Sequence, residues 1–260
     1  MTSGDSAVTV VGLAVTAVKG TRLRQVQRIE LDELGARGNR SFCVVDDRGR
    51  MLNGKQLGEL QAVVANYEPE AGELSLAFPD GNETRGVVEY GAAFQIRFFS
   101  RQREARPLLG PWSEALSEFT GRQLRLVAPG VGVDRGRQGA VSVISRASLS
   151  RLAEVADRDS IDARRFRMLI EIDGLGPHKE DRWVRRRVRV GPALIRLHGH
   201  VGRCLVTSRD PESGKVDLPT LELLGEYRRE LDTTEPLAFG IYGEVLEPGE
   251  VRVGDSVALD

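Results

Sequence analysis

A single cysteine with polar neighbours is the part of this sequence best suited to chemistry. Arg203 precedes Cys204, Thr207 follows three residues later, and Asp210-Pro-Glu-Ser-Gly214 has the composition of a tight turn. A thiol acts as a nucleophile or metal ligand only as the thiolate, and a neighbouring guanidinium favours that form. The pattern indicates a thiolate centre at the start of a β-strand. The sequence leaves open the alternative of a small buried hydrophobic residue, the usual state of a free cysteine.

Other side chains that could bind or react are less clearly arranged. His198 and His200 are two residues apart, so in a strand both rings would face one side, where they could bind a metal or line a pocket that ends at Cys204. No third ligand has an obvious spacing. Cys43 lies within an apolar run and is expected to be a buried structural residue.

Composition excludes several classes of partner. The 260 residues contain 37 basic and 38 acidic side chains, so no global charge attracts nucleic acid or a membrane surface. Aromatic residues make up only 5%, which argues against a surface that stacks nucleic-acid bases. No apolar run is long enough to span a bilayer, and the first residues lack a secretory pattern. Two widely separated cysteines indicate a reducing, cytoplasmic setting.

The spacing of turn residues predicts a mainly β chain with a few helices. Short strands separated by Gly, Pro, Asn or Asp favour a barrel or sandwich over a doubly wound parallel sheet. We expect helices after Pro111, with Ser113 as a cap, at Ser145–Val155, and at Thr220–Leu231. Strands are predicted at 8–18, 23–31, 42–45, 62–67, 74–78, 86–90, 94–99, 124–127, 141–144, 169–172, 239–246 and 251–259.

Motifs spread over nearly the whole chain resemble the MOSC family, the C-terminal domain of molybdenum cofactor sulfurases, preceded by its usual N-terminal β-barrel-like partner. Any one motif is weak, but their order and spacing together are specific. They are Val18-Lys-Gly20, Gly38-Asn-Arg-Ser-Phe42, Asn53-Gly-Lys-Gln56, Ser145-Arg-Ala-Ser-Leu149, Arg164-Arg-Phe-Arg167, Glu180-Asp-Arg-Trp183, Gly202-Arg-Cys204, Asp210-Pro-Glu-Ser-Gly214, Leu221-Glu-Leu-Leu224, Phe239-Gly-Ile-Tyr-Gly243 and Pro248-Gly-Glu-Val-Arg-Val-Gly-Asp255.

The resemblance implies a mainly β (α+β) fold in two parts. The expected division is an N-terminal β-barrel-like domain over residues 1–105 and a MOSC β-barrel domain with a few helices over residues 106–260. Family members of this architecture include the mitochondrial amidoxime-reducing component and its bacterial relatives, which bind molybdopterin cofactor between the two parts.

The same resemblance implies the roles of individual residues. Cys204 matches the cysteine whose thiolate ligates molybdenum, and soft thiolate suits a centre already bound by sulfur. Thr207 is expected to offer a hydroxyl to cofactor or substrate, and Asp181 lies in the segment near the substrate opening. The residues expected to hold the cofactor's phosphate and pterin are cationic: Lys19, Arg40, Lys55, Arg165, Arg167 and Arg203.

Several positions depart from the pattern of the amidoxime-reducing relatives. Gly20 stands where those proteins carry serine, and Met168-Leu169 follows the Arg-Phe-Arg motif where they carry Pro-Asn. There is also no cysteine-rich ferredoxin extension of the kind some bacterial relatives use to deliver electrons. These departures alter the surface that would recognise the pterin, while the cysteine and the cationic residues persist.

Three hypotheses follow from the resemblance. The first is a molybdenum oxidoreductase that exchanges oxygen with an N-oxygenated small molecule and receives electrons from a separate donor protein. The second is a sulfur-carrier or cofactor-carrier protein in which Cys204 holds a persulfide. The third is a repurposed biosynthetic enzyme without molybdenum that uses Cys204 with His198 or His200.

Overall fold

The structure, a computed structural model, describes residues 7–130 and 136–260 and consists mainly of β-strands. The described residues form α-helices α1 (Trp112–Thr120), α2 (Arg146–Val155) and α3 (Thr220–Tyr227). The strands are β1 (Thr9–Val15), β2 (Arg24–Val26), β3 (Arg28–Asp32), β4 (Gly35–Ala36), β5 (Cys43–Asp46), β6 (Met51–Leu52), β7 (Val64–Glu68), β8 (Glu73–Ala77), β9 (Glu83–Val87), β10 (Glu89–Tyr90), β11 (Phe94–Phe98), β12 (Arg101–Leu109), β13 (Leu124–Pro129), β14 (Val141–Ser145), β15 (Ile170–Asp173), β16 (Arg187–Val190), β17 (Ala193–Gly202), β18 (Ala238–Glu247), β19 (Gly249–Arg252) and β20 (Val257–Leu259).

The largest sheet gathers both ends of the chain. Its order is β2-β1-β15-β14-β18-β17-β16-β20, and every neighbouring pair is antiparallel except the parallel pair β14 and β15. Alternating side chains of these strands bury a core that includes Val143, Ile170, Ile195 and Ile241. This sheet carries β17, whose far end leads into Cys204.

A second sheet, of order β10-β12-β13-β5-β6, is formed by the N-terminal part, with β11 also paired to β12. A bridge between Arg50 and Arg97 links the approach to β6 with β11 and curls this sheet towards a barrel. One face encloses a small cluster around Cys43, Ile96 and Phe98. The other face packs on α1 and the three-stranded sheet β7-β8-β9. The predicted mainly β fold is confirmed.

The chain has no break at the expected domain boundary. The division predicted between residues 105 and 106 falls inside β12, and β13 pairs with β5. In addition, β1 and β2 join the large sheet, and β3 pairs with β19. Pairing between strands distant in sequence decides this arrangement, and composition along the chain does not reveal it. The second sheet therefore continues past residues 105 and 106 to β13, and the division into two domains at that point stays a prediction.

The predicted helices form, with two corrections. The first helix ends at Gly121, which has the left-handed φ of 64° that favours glycine there, but Ser113 is not its cap, because the Ser113 hydroxyl accepts from the backbone of Leu126. The last helix stops at Tyr227 and does not reach Leu231, since the next residue, Arg228, turns inward to bind other elements. None of the α-helices in residues 7–130 and 136–260 has the length and apolarity needed to cross a bilayer.

A tight turn after the Cys204 segment packs directly against the N-terminal part. The Gly214 amide donates to the carbonyl of Asp210 at 2.9 Å, which confirms the turn predicted there. A Cβ on Gly214 would lie 1.8 Å from the carbonyl oxygen of Gly58, and the residue has a φ of 71°. Arg209 closes the contact by donating to the carbonyls of Gly214 at 2.6 Å and Lys55 at 3.2 Å. Glycine is required at this contact for space and for conformation.

We predict that Gly214→Ala lowers the free energy of unfolding by roughly 2 to 4 kcal/mol, because the added methyl group collides with rigid backbone and the φ is unfavourable. Gly254→Ala is the matched control, since Gly254 also has positive φ (97°) but has open space around its Cβ position. The control is expected to lose only about 1 to 2 kcal/mol. Urea unfolding measures both losses. If the two variants lose the same free energy of unfolding, the collision with Gly58 contributes nothing to the loss.

Candidate functional site

A cleft of about 530 Å³ lies between the loops of the N-terminal part and the segment that follows β17. Cys204 is on its wall and is partly exposed. No carboxylate is among the described residues that line this cleft. The lining includes six cationic residues, all of which the sequence predicted: Lys19, Arg40, Lys55, Arg165, Arg167 and Arg203. The cleft therefore combines one reachable thiol with a strongly positive lining, which suits an anionic ligand.

The sequence had suggested that Cys204 starts a strand, but the residue lies two positions beyond the end of one. It follows β17 and precedes a 3-10 turn, Leu205–Ser208. The backbone amide of Thr207 donates to the Cys204 carbonyl at 2.9 Å, and the Thr207 hydroxyl donates to the same oxygen at 3.0 Å. Buried Thr207 thus lines the cleft and uses its hydroxyl proton to fix the backbone that carries the thiol.

Arg203 anchors the other side of the Cys204 backbone. Its guanidinium donates to the carbonyl of Phe166 at 2.8 Å, to the carbonyl of Phe239 and to the sulfur of Met168 at 3.0 Å. The guanidinium also lies 5.2 Å from the centre of the Phe166 ring, a cation–π distance. Arg203 consequently ties the end of β17 to β18 and to the 3-10 turn at Ala163–Phe166.

Arg40 and Arg167 cross-link the two parts of the chain beside the cleft. Arg40 Nη2 donates to the Arg167 carbonyl at 2.6 Å, and Arg167 Nη2 donates to the Thr21 carbonyl at 2.8 Å. Burial lowers the pKa of Arg40 to about 9, with a contribution from the nearby Arg167 charge, and burial lowers the pKa of Arg167 to about 10. Both residues have left-handed backbone, with φ near 50°. Backbone strain of this kind is concentrated at functional sites.

The other three cationic residues of the cleft differ in the groups that surround them. Arg165 forms a bidentate ion pair with Asp217, with N···O distances of 2.6 and 2.5 Å. Lys19 places its ammonium 5.8 Å from the centre of the Phe99 ring. Lys55 is exposed at the rim. Arg165 is therefore mainly structural, whereas Lys19 and Lys55 line the cleft from the N-terminal side.

Asp181 is not among the residues that line the cleft, although the sequence placed it near the substrate opening. Its carboxylate accepts from Arg228 Nη2 at 2.7 Å and lies 3.8 Å from Nε2 of His200. Arg228 also donates to the carbonyl of Ala238, the first residue of β18. Asp181 thus orients Arg228, which supports the start of β18 behind the site. This role depends on the position of α3, because Arg228 directly follows that helix.

The neighbouring Glu180 is a buried carboxylate that sequence reasoning missed. Its Oε1 accepts from the Ser148 hydroxyl at 2.6 Å and from the Ser145 amide at 3.2 Å, at the N-terminal end of α2. Burial raises the pKa of Glu180. The first turn of α2 offers unpaired amides to this carboxylate, which helps to explain why a charged group is tolerated inside. An acidic residue before Trp183 was the only sequence signal.

The histidines and the second cysteine do not join the thiol. His198 Nε2 lies 3.2 Å from Glu244, whereas His200 Nδ1 lies 3.3 Å from the Thr234 hydroxyl. The register of β17 on β18 shifts at His198, between Leu197 and Gly199. Within residues 7–130 and 136–260 no group of three or more His, Cys, Asp or Glu side chains is arranged to hold a metal ion. Cys43 is fully buried in β5, as predicted, and burial raises its pKa to about 12.

Comparison with known proteins gives the context of this site. The sequence model of the MOSC N-terminal beta barrel domain matches residues 7–121, and that of the MOSC domain matches residues 109–258. The chain is 26% identical to mitochondrial amidoxime-reducing component 1 of Mus musculus, over 96% of this chain and 82% of the mouse protein. It is 27% identical to mitochondrial amidoxime reducing component 2 of Homo sapiens, over the same shares.

Two further matches are more limited. Over 42% of this chain and 14% of the relative, the sequence is 29% identical to the molybdenum cofactor sulfurase of Oryza sativa subsp. japonica. The crystal structure of the YUAD protein from Bacillus subtilis covers 97% of this chain and 94% of its own, at 11% identity and a TM-score of 0.46.

We predict that Arg40→Met weakens the binding of inorganic pyrophosphate to the cleft about tenfold, because it removes a charged donor from a site whose described lining residues include no carboxylate. Isothermal titration at low salt measures this change. Arg186→Met removes the same charge from an exposed position outside the cleft and should bind like the wild type. Equal weakening in both variants would indicate a general charge effect and would contradict a specific anion site.

His178 should make the protein less stable in acid. Burial lowers its pKa to about 4 from an ordinary value of 6.5, helped by the Arg228 charge and opposed by Asp181. Between these pH values the unfolded chain binds the proton and the folded chain does not, so stability falls as the pH drops from 6.5 to 4. Because the ring is partly exposed, we expect its share to be about 2 kcal/mol.

The variant His178→Asn should remove that share, and asparagine accommodates the left-handed backbone (φ 59°) at this position. Urea unfolding at pH 6.5 and pH 4.5 measures the difference. His198→Asn, with its ring near the surface, is the control and should keep the acid sensitivity of the wild type. An unchanged slope in His178→Asn would contradict the assignment.

Proposed function

Because the chain belongs to the MOSC domain family, we propose that it is a molybdenum-cofactor-dependent oxidoreductase that reduces an N-oxygenated small molecule. In this proposal the Cys204 thiolate is the protein ligand of molybdenum. The single observation that supports it is the composition of the cleft. One partly exposed thiol stands among six cationic residues, and no described lining residue is acidic.

The residues present fit a molybdopterin group on chemical grounds. Soft thiolate is the ligand type expected for such a centre, and the phosphate of the pterin requires cationic donors. Arg40 and Arg167 are the best placed of these, because both line the cleft where the two parts of the chain are joined by their hydrogen bonds. Lys19 and Lys55 also line the cleft and come from the N-terminal part. The cleft volume of about 530 Å³ is in the range of small-molecule sites.

When bound, the molybdenum centre would supply two-electron redox chemistry for removing an oxygen atom from nitrogen. The protein's own contribution is to fix the Cys204 thiol at an accessible position on the wall of the cleft. Two hydrogen bonds from Thr207 fix the Cys204 carbonyl, and the guanidinium of Arg203 anchors the preceding residue to β18. Asp181 is left out of the proposed reactive groups, because its carboxylate pairs with Arg228.

The electrons are proposed to come from a separate protein. Reduction of an N-hydroxyl group to N–H with release of water consumes two electrons and two protons. The two cysteines of this chain are too few for the four thiolates that an iron–sulfur cluster commonly takes, and Cys43 is buried. Both cysteines of the chain are free, which favours a reducing compartment. We propose that this compartment is the cytoplasm.

A sulfur-carrier role is the second candidate. It is supported by the similarity of 42% of this chain to a protein named molybdenum cofactor sulfurase. A reachable thiol in a positive cleft could also hold a persulfide, whose terminal sulfur is anionic. The third hypothesis, a cysteine–histidine enzyme without molybdenum, has less support, since no described residue lining the cleft is a histidine.

We predict that Cys204→Ala, expressed with ample molybdate, loses molybdenum and all reduction of an N-hydroxylated substrate by an artificial donor, because the metal loses its only protein ligand. Elemental analysis and turnover with reduced methyl viologen measure this. Cys43→Ala is the matched control: it removes a buried thiol outside the cleft and should keep the metal, with about 1 kcal/mol lost from stability.

Molybdenum retained by Cys204→Ala at the wild-type level would exclude the proposed ligand. Wild-type protein without molybdenum but with cyanide-releasable sulfur that disappears in Cys204→Ala would instead establish the sulfur carrier.

A further inference from the structure

Phe99 has a backbone conformation that folding alone does not favour. It is the first residue of the two-residue turn between β11 and β12, whose last and first residues, Phe98 and Arg101, are paired. Its φ is 55°, and Ser100 does not share the positive value. This is the pattern of a type II′ turn, in which glycine is preferred at the first position. A bulky side chain at this φ is an outlier that stores strain.

The Phe99 side chain is also unusually exposed. It is 56% accessible to solvent, while the adjacent Phe98 is 2% accessible and belongs to the small N-terminal core. The two rings meet edge to face at a centroid distance of 5.1 Å. The Phe99 ring therefore contributes little to the buried core while it carries a strained backbone. Two unfavourable features at one position point to a role outside folding.

The position of the ring indicates that role. Phe99 lines the cleft that contains Cys204, and it also lines a neighbouring cleft of about 710 Å³. Only Asn53 shares this property among the described lining residues of the two clefts. The Lys19 ammonium lies 5.8 Å from the ring centre and helps to hold the ring at this junction. An aromatic face is thus presented where the two clefts meet.

We propose that Phe99 is a substrate-contacting residue that selects planar, conjugated N-oxygenated molecules by stacking on them. This inference rests on the proposed function, because the N–O group must reach the Cys204 side of the cleft while the planar group stays at the ring. Aromatic rings stack with a geometry-dependent attraction beyond the area they bury. A rigid ring with two side-chain torsions provides this contact with little loss of conformational freedom.

The test compares two ligands that share the reacting amidoxime group and differ in planarity, benzamidoxime and acetamidoxime. Binding to the holoprotein is measured by isothermal titration, with molybdenum content determined on the same samples. Phe99→Ala and Phe99→Gly should bind benzamidoxime about tenfold more weakly, the loss of one stacking contact and its apolar area. Acetamidoxime binding should be unchanged in both. Phe99→Tyr should keep the wild-type preference.

Thermal unfolding of the same variants tests the strain. Both Phe99→Ala and Phe99→Gly remove the ring, but only glycine relieves the positive φ. We expect Phe99→Gly to melt about 2 to 4 °C above Phe99→Ala. Equal melting temperatures of the two variants would contradict the strain assigned to the Phe99 backbone.

The outcomes separate this proposal from the proposed function. If the wild type does not prefer benzamidoxime, or if the alanine variant keeps the preference, the role of Phe99 is excluded whatever the metal content. If protein expressed with ample molybdate contains no molybdenum, yet prefers benzamidoxime and loses the preference in Phe99→Ala, the role of Phe99 stands and the molybdenum function fails.

Discussion

The site depends on a reciprocal exchange of arginines between the two parts of the chain. Arg40 from the N-terminal part donates to a carbonyl of the C-terminal part, and Arg167 returns a hydrogen bond to the carbonyl of Thr21. Burial lowers the pKa values of both guanidinium groups, and the nearby Arg167 charge also lowers that of Arg40. The two hydrogen bonds join the two parts of the chain beside the cleft that contains Cys204.

The position of the Cys204 thiol is likewise fixed by hydrogen bonds to the backbone. Cys204 makes the transition from β17 to a 3-10 turn, and each side of it is fixed by a different neighbour: Arg203 towards β18 and Thr207 towards the turn. The glycine contact between Gly214 and Gly58 then presses the following turn against the N-terminal part. The sulfur therefore lies on a rigid wall, whereas Phe99 stands on a strained hairpin turn at the mouth of the cleft.

Much of the fold and most of the site residues were predictable from sequence motifs. All six predicted cations and both Cys204 and Thr207 line one cleft, although they come from segments up to 188 residues apart (Lys19 and Thr207). The roles within the set were not predictable. Arg165 is neutralised by Asp217, and Asp181 serves Arg228 and not the cleft, because ion-pair partners depend on side chains that meet only after folding. No sequence pattern marked Phe99, because a phenylalanine that follows strand-forming residues is itself predicted to belong to the strand.

Residue types alone predicted a mainly β chain and a buried Cys43, because turn spacing and apolar runs are local properties. The place of Cys204 among the motifs of a known family came from the resemblance to that family. Tertiary structure decided that β12 and β13 share a sheet with β5 across the predicted boundary, because these strands pair over long distances in sequence. It also decided that Cys204 lies two residues beyond the end of β17 and that no described residue lining the cleft is acidic. These outcomes depend on which distant backbone groups satisfy one another's hydrogen bonds, and no local pattern encodes that choice.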